Sequence, residues 1–135
     1  MPTPDDSDRA TGPEPAPVDA AEARALAREA FAPSPGTVVY VDRVPRLVGD
    51  VELGGERVRL ERPALVVFRD EAPGANWMHP CTYAVVDRES GAVLTTVAAD
   101  RPPRFGVLPH TWVVAADPDG RADLVPPDHD VQEDT

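Results

Sequence analysis

The sequence contains no lysine and no isoleucine, and only one asparagine, one glutamine and one cysteine in 135 residues. Each shortage excludes something. A single cysteine, Cys81, cannot close an internal disulfide. No apolar run approaches the roughly 18 residues that a membrane-spanning helix needs. The opening Met1-Pro2-Thr3-Pro4-Asp5-Asp6 has neither the basic start nor the apolar stretch of a secretory leader. No internal repeat, paired Cys-x-x-Cys unit or nucleophile elbow is present. The missing residue types share AT-rich codons, which points to a GC-rich bacterial genome and makes the absence of lysine a coding bias rather than a signal. The expectation is a soluble, cytoplasmic bacterial protein with one domain.

What is present is acid, and it is unevenly placed. The net charge is −11. Residues 1–35 carry 7 acids against 3 arginines, or −4; residues 117–135 carry 7 against 1, or −6. The stretch between, 36–116, carries 10 against 9 and is nearly neutral at −1. A net acidic chain without a basic face argues against nucleic acid and against an anionic membrane as partners.

Residues 1–17 are acidic and proline-rich, with too few large apolar groups to offset the entropy of ordering, and are expected to be disordered. A helix is predicted over 18–31, with Asp19 as its cap, Glu22 three residues on as in a capping box, and Pro33 and Pro35 beyond its end. The period then changes. β-branched residues predict strands at 37–41, 64–68, 82–86, 92–97 and 111–115, and a weak one at 122–125. Residues 51–53 and 58–60 alternate apolar with charged around Gly54-Gly55, which predicts a tight hairpin with one wet face carrying Arg57, Arg59 and Arg62. The run 64–68 is continuously apolar, as in a central strand covered on both faces. Residues 126–135 are expected to be a loose acidic tail.

These elements amount to a mainly β, α+β domain over 18–125: a small antiparallel barrel or sandwich of six to seven strands with one N-terminal helix and disordered acidic tails. Alternating βαβ units are absent, which excludes a doubly wound parallel sheet.

Chemically versatile side chains gather in one run, Asn76-Trp77-Met78-His79-Pro80-Cys81. A thiol beside an imidazole can be activated as a nucleophile, so Cys81 with His79 or His110 as base describes a small cysteine-dependent hydrolase or transferase. The competing reading of Cys81 is a small hydrophobe at the start of the strand 82–86. His79, Cys81 and His110 with an aspartate would make a zinc-like donor set, but the spacing fits no closed structural pattern, and neither metal nor cofactor is assigned. Asp70, Glu71, Asp87 and Asp100 stand at strand ends, where acids are commonly solvated turn residues.

The aromatic and arginine residues suggest recognition instead. Loops 70–81 and 100–110 are irregular and each precedes a strand. If those strands run in the same direction, both loops share one end of the sheet. Asn76, Trp77, Met78, His79, Arg101, Arg104, Phe105 and His110 would then form one aromatic and polar rim. The leading expectation is therefore a non-enzymatic binding or accessory module that recognises a protein or peptide partner through these two loops.

Overall fold

A computed structural model describes residues 16–75, 77–104 and 106–125. The expectations for 1–15, Asn76, Phe105 and 126–135 lie outside the described residues. The elements in chain order are α1 (Ala20–Ala30), β1 (Val38–Asp42), β2 (Gly49–Leu53), β3 (Glu56–Leu60), β4 (Ala64–Asp70), β5 (Cys81–Asp87), β6 (Val93–Ala99) and β7 (Trp112–Ala116). The β-rich α+β class holds, with seven strands and one helix among the described residues. Of the barrel or sandwich expected, no closed barrel forms: the strands make two sheets, a main sheet of five antiparallel strands in the order β6-β5-β4-β1-β7 that ends at β6 and β7, and a two-stranded ribbon of β2 and β3. No strand forms over 122–125.

The sheet's two faces follow from strand alternation. Val39, Val41, Leu65, Val67, Ala84, Val86, Val113 and Ala115 point to one side and meet Ala23, Ala27 and Phe31 of the helix layer. Val38, Tyr40, Val66, Phe68, Tyr83, Val85 and Trp112 point to the other and meet Leu53 and Leu60 of the ribbon, with Leu108 and Val125. β4 sits third of five, which explains its unbroken apolar run. Small residues let the helix approach closely: its fully buried positions are both alanines, Ala23 and Ala27.

Asp19 caps α1, its carboxylate accepting from the Ala21 and Glu22 amides at 3.1 and 3.3 Å. Glu22 does not complete a capping box; its carboxylate reaches Arg88 at 3.3 Å. Two arginines of the helix turn toward β7 and donate to the Val114 and Ala115 carbonyls, both at 2.8 Å. The Arg69 guanidinium lies 4.5 Å over the Phe31 ring and fastens the helix end to β4. In the ribbon, Leu53 pairs with Glu56 across Gly54 and Gly55, whose φ values of 58° and 96° are those a two-residue turn of this hand demands.

Three aromatic rings lie side by side across the ribbon face. Tyr40, Phe68 and Tyr83 are register partners on β1, β4 and β5, with centroids 5.7 and 5.2 Å apart. The two tyrosine hydroxyls reach past the core. Tyr83 donates to the Arg101 carbonyl at 2.8 Å, and Tyr40 accepts from the Asp123 and Leu124 amides at 3.2 and 3.3 Å. The fold thereby ties two irregular segments, 100–104 and 121–125, to one end of the sheet.

Candidate functional site

The end of β4 and the start of β5 face each other, with Asp70 opposite Cys81. Between them the chain makes a proline-broken excursion. The Asp70 carboxylate starts it by accepting from the Ala72 amide at 3.0 Å. Gly74, at φ 84°, turns it. The His79 amide donates to the Asp100 carbonyl at 2.8 Å, which stitches the excursion to the end of β6.

This arrangement turns His79 inward. Its Nε2 lies 2.8 Å from Asp70 Oδ1, and the two side chains are only 8% and 1% exposed. The Cys81 thiol donates to the His79 carbonyl at 3.3 Å. One oxygen of Asp70, one ring nitrogen of His79 and the sulfur of Cys81 all lie within 4.8 Å of one another. As donors, O, N and S are the set a zinc-like cation accepts, so these are the residues that could hold one.

The expectation that acids at these strand ends are solvated holds for exposed Asp100 and partly for half-buried Glu71, but fails for Asp70 and Asp87. Asp42, at the end of β1, is buried with them. All three continue the alternation of β1, β4 and β5 onto the ribbon face, so the sheet buries them beneath the connections. Asp42 pairs with Arg46 at 2.7 Å, and Asp87 with Arg62 at 3.1 Å and Ser90 at 2.7 Å. Ser90, ahead of the other donors, draws the Asp87 carboxyl below the usual range. Asp70 has no arginine partner among the described residues; burial holds its carboxyl above the usual range against the Ala72 amide and His79.

Cys81 is buried, as the small-hydrophobe reading expects. Burial, with Asp70, Glu71 and Asp100 adding to it, pushes its thiol up from 9.0 to about 12. At neutral pH the sulfur is a thiol and not a thiolate, the reverse of what nucleophilic attack requires.

The two loops do not share one end along their whole length. β5 and β7 run in opposite directions, so the condition for a common rim is not met. β6 and β7 are the two sheet edges and run parallel, so 100–110 must cross the ribbon face from one end of the sheet to the other. It leaves β6 where Ala99 pairs with Cys81, and enters β7 where Trp112 pairs with Asp42. Buried Leu108 marks the crossing, its amide donating to the Leu124 carbonyl at 2.7 Å. His110 therefore sits at the far end, away from Cys81, and leaves both the rim and the proposed base role.

What does converge is Trp77 with the first part of 100–110. Trp77 is half-buried and forms a shared wall between two shallow concavities. One, of about 210 Å³, is lined by Glu52, Gly54, Gly55, Arg101, Pro102 and Pro103. The other, of about 200 Å³, includes Asp70, His79, Gly74, Pro102, Asp123 and Leu124. Met78 is 56% exposed beside them, and Arg104 is exposed. The chain gives no match to any protein-family model, curated protein or solved structure. Its reading therefore rests on this geometry.

Sequence reasoning missed the contributions of the ribbon turn (Glu52, Gly54, Gly55) and of Asp123 and Leu124. The Gly-Gly signal located the turn, but nothing in the sequence placed it against Arg101. Asp70 was visible only as one strand-end acid among several.

Proposed function

We propose that this chain is a non-enzymatic binding or accessory module that holds a protein or peptide partner at the rim around Trp77. The rim comprises the 70–81 connection, the β2–β3 turn and residues 101–104. The observation that carries this reading is an indole that, with Pro102, forms the common wall of two concavities, with Arg101 and Glu52 beside one and the Asp70–His79 pair at the base of the other. Aromatic and arginine side chains on a rigid frame are the groups that contribute most to binding energy per residue. The first concavity suits polar backbone or amide groups of a partner; the second suits an apolar side chain flanked by a hydrogen-bonding group. Among the described residues no helix is long and apolar enough to cross a membrane. We place the protein in a bacterial cytoplasm, where its lone thiol stays reduced.

The test is retention of a partner from lysate by the immobilised full chain. Trp77→Ala is expected to reduce retention at least about tenfold, since anchor residues contribute roughly 2 kcal/mol or more. Leu94→Ala, on the opposite end of β6, is expected to leave it unchanged. Equal retention by all three proteins contradicts the reading.

The convergence of Asp70, His79 and Cys81 favours a second reading, a small cysteine-dependent hydrolase or transferase with His79 as base. The protonated, buried thiol weighs against it. Rapid alkylation of native Cys81 by iodoacetamide near pH 7 would establish that reading over the first.

A further inference from the structure

The two edges of the five-stranded sheet are treated differently. At β7, a bulge opposite Val39 and Tyr40 breaks the ladder, and Arg24 and Arg28 of α1 occupy the Val114 and Ala115 carbonyls. That edge is covered, as soluble proteins commonly arrange. β6 also carries a bulge, at Leu94, but among the described residues no strand pairs with its outer side. It is seven residues long, it lies outermost, and Val93 to Thr96 and Ala98 are exposed. Its sequence, Val-Leu-Thr-Thr-Val-Ala-Ala, contains no charge and no proline, in a chain of which 27% of residues are charged and 17 are prolines. Lysine, proline and inward charges are the usual means of blocking an edge, and β6 carries none.

We propose that β6 pairs antiparallel with β6 of a second copy of this chain, joining two five-stranded sheets into one of ten strands about a two-fold axis. Self-pairing sets identical strands against each other, so any charge on the strand would meet its own kind; a strand free of charge meets none. The bulge between Val85 and Val86 displaces Leu94 and leaves Thr95 to Ala99 as the regular segment that can pair. Antiparallel order then carries the Asp100 end of one copy to the Leu94 end of the other. There Arg59, Glu61 and Arg62, net positive, line a groove of about 340 Å³ with Leu60, Val85, Leu94 and Thr95. Asp100, 59% exposed and paired with Arg101 at 3.0 Å, then joins Arg59, 62% exposed and loosely paired with Asp50 and Glu61 at 3.6 and 3.8 Å, so the contact extends mixed-charge clusters at each end of the paired strands. The stretch 36–116, which includes β6, is itself nearly neutral at −1.

The test is light-scattering mass of the full chain across a concentration series, with hydrogen exchange of the β6 amides. The expected result is a shift from 14.5 kDa toward twice that mass, 29 kDa, with β6 amides gaining protection in step. Thr96→Lys is expected to weaken association by about tenfold or more, through like charges brought together across the axis. Asp100→Arg is expected to weaken it too, and Arg59→Glu in the same chain to restore it. Trp77→Ala is expected to leave it unchanged, which separates this surface from the rim. A chain that stays at 14.5 kDa at every concentration overturns the proposal and leaves β6 to a strand from another protein. A dimer in which the β6 amides exchange as freely as in the monomer overturns it as well.

Discussion

At the scale of single residues, burial governs the chemistry around Asp70, His79 and Cys81. The Cys81 thiol is held protonated up to about 12. Two expected outcomes follow from that value. Iodoacetamide should alkylate the native chain at pH 7.5 at least about 100-fold more slowly than the denatured chain, because the reactive thiolate is depleted by roughly the same factor as its pKa shift implies. Stability should also fall in alkali. A raised pKa in the folded state gives a contribution that is complete below the ordinary value of 9.0 and is lost as pH rises from there to about 12. Burial likewise raises Tyr40 and Tyr83, whose ordinary value of 10.0 brings them in about one unit later than Cys81. Between pH 8 and 9 the slope, up to about 0.7 kcal/mol per unit, therefore belongs mainly to Cys81 among these three. Urea unfolding of Cys81→Ala over that interval should show most of that slope gone; an unchanged slope would place the thiol in a different environment.

The Asp70–His79 pair makes a further prediction at this scale. Removing the imidazole leaves a buried carboxylate with the Ala72 amide as its other partner, so His79→Ala should cost about 3 kcal/mol in urea denaturation. Asp70→Asn removes a charge that burial disfavours and should cost closer to about 1 kcal/mol. Equal losses would show that the pair's charge is not what matters. The sequence exposed the ingredients of this cluster but only part of its membership. His79 and Cys81 stand out as rare residues. Asp70 does not, because a strand-end acid in sequence looks the same whether the next connection covers it or leaves it in water.

At the scale of elements, local chemistry was informative. β-branched runs, the Gly54-Gly55 turn and the Asp19 cap each specify structure within a few residues, and each element formed close to where these signals stand. The strand expected at 122–125 is the exception. Its backbone is held by Tyr40 and Leu108 instead of a neighbouring strand, both distant in sequence. The β2–β3 turn also shows how an element positions the rim. A Cβ at Gly54 would lie 2.7 Å from both the Ala99 Cβ and the Tyr83 ring, and 2.8 Å from the Arg101 carbonyl. Gly54→Ala should therefore cost about 2–4 kcal/mol, combining a left-handed backbone with overpacking. Gly74, equally left-handed, has nothing within 4 Å of the same atom, and Gly74→Ala should cost about 1 kcal/mol. Thermal or urea unfolding that ranks the two in reverse would contradict the packing of the turn against β6.

At the scale of the whole molecule, strand order decided what sequence could not. The rim was expected to include His110 because two loops each precede a strand, and relative strand direction is a long-range property that no local pattern encodes. The parallel relation of β6 and β7 makes 100–110 a crossover, which keeps Arg101 beside Trp77 and carries His110 away. The layered arrangement of helix, sheet and ribbon thus brings one indole, one arginine and one buried imidazole–carboxylate pair to the same end. The most direct measurement is partner retention from lysate on the immobilised full chain, comparing the native protein with Trp77→Ala and with Leu94→Ala. The account predicts at least about a tenfold loss for Trp77→Ala alone. Equal retention by all three would contradict it.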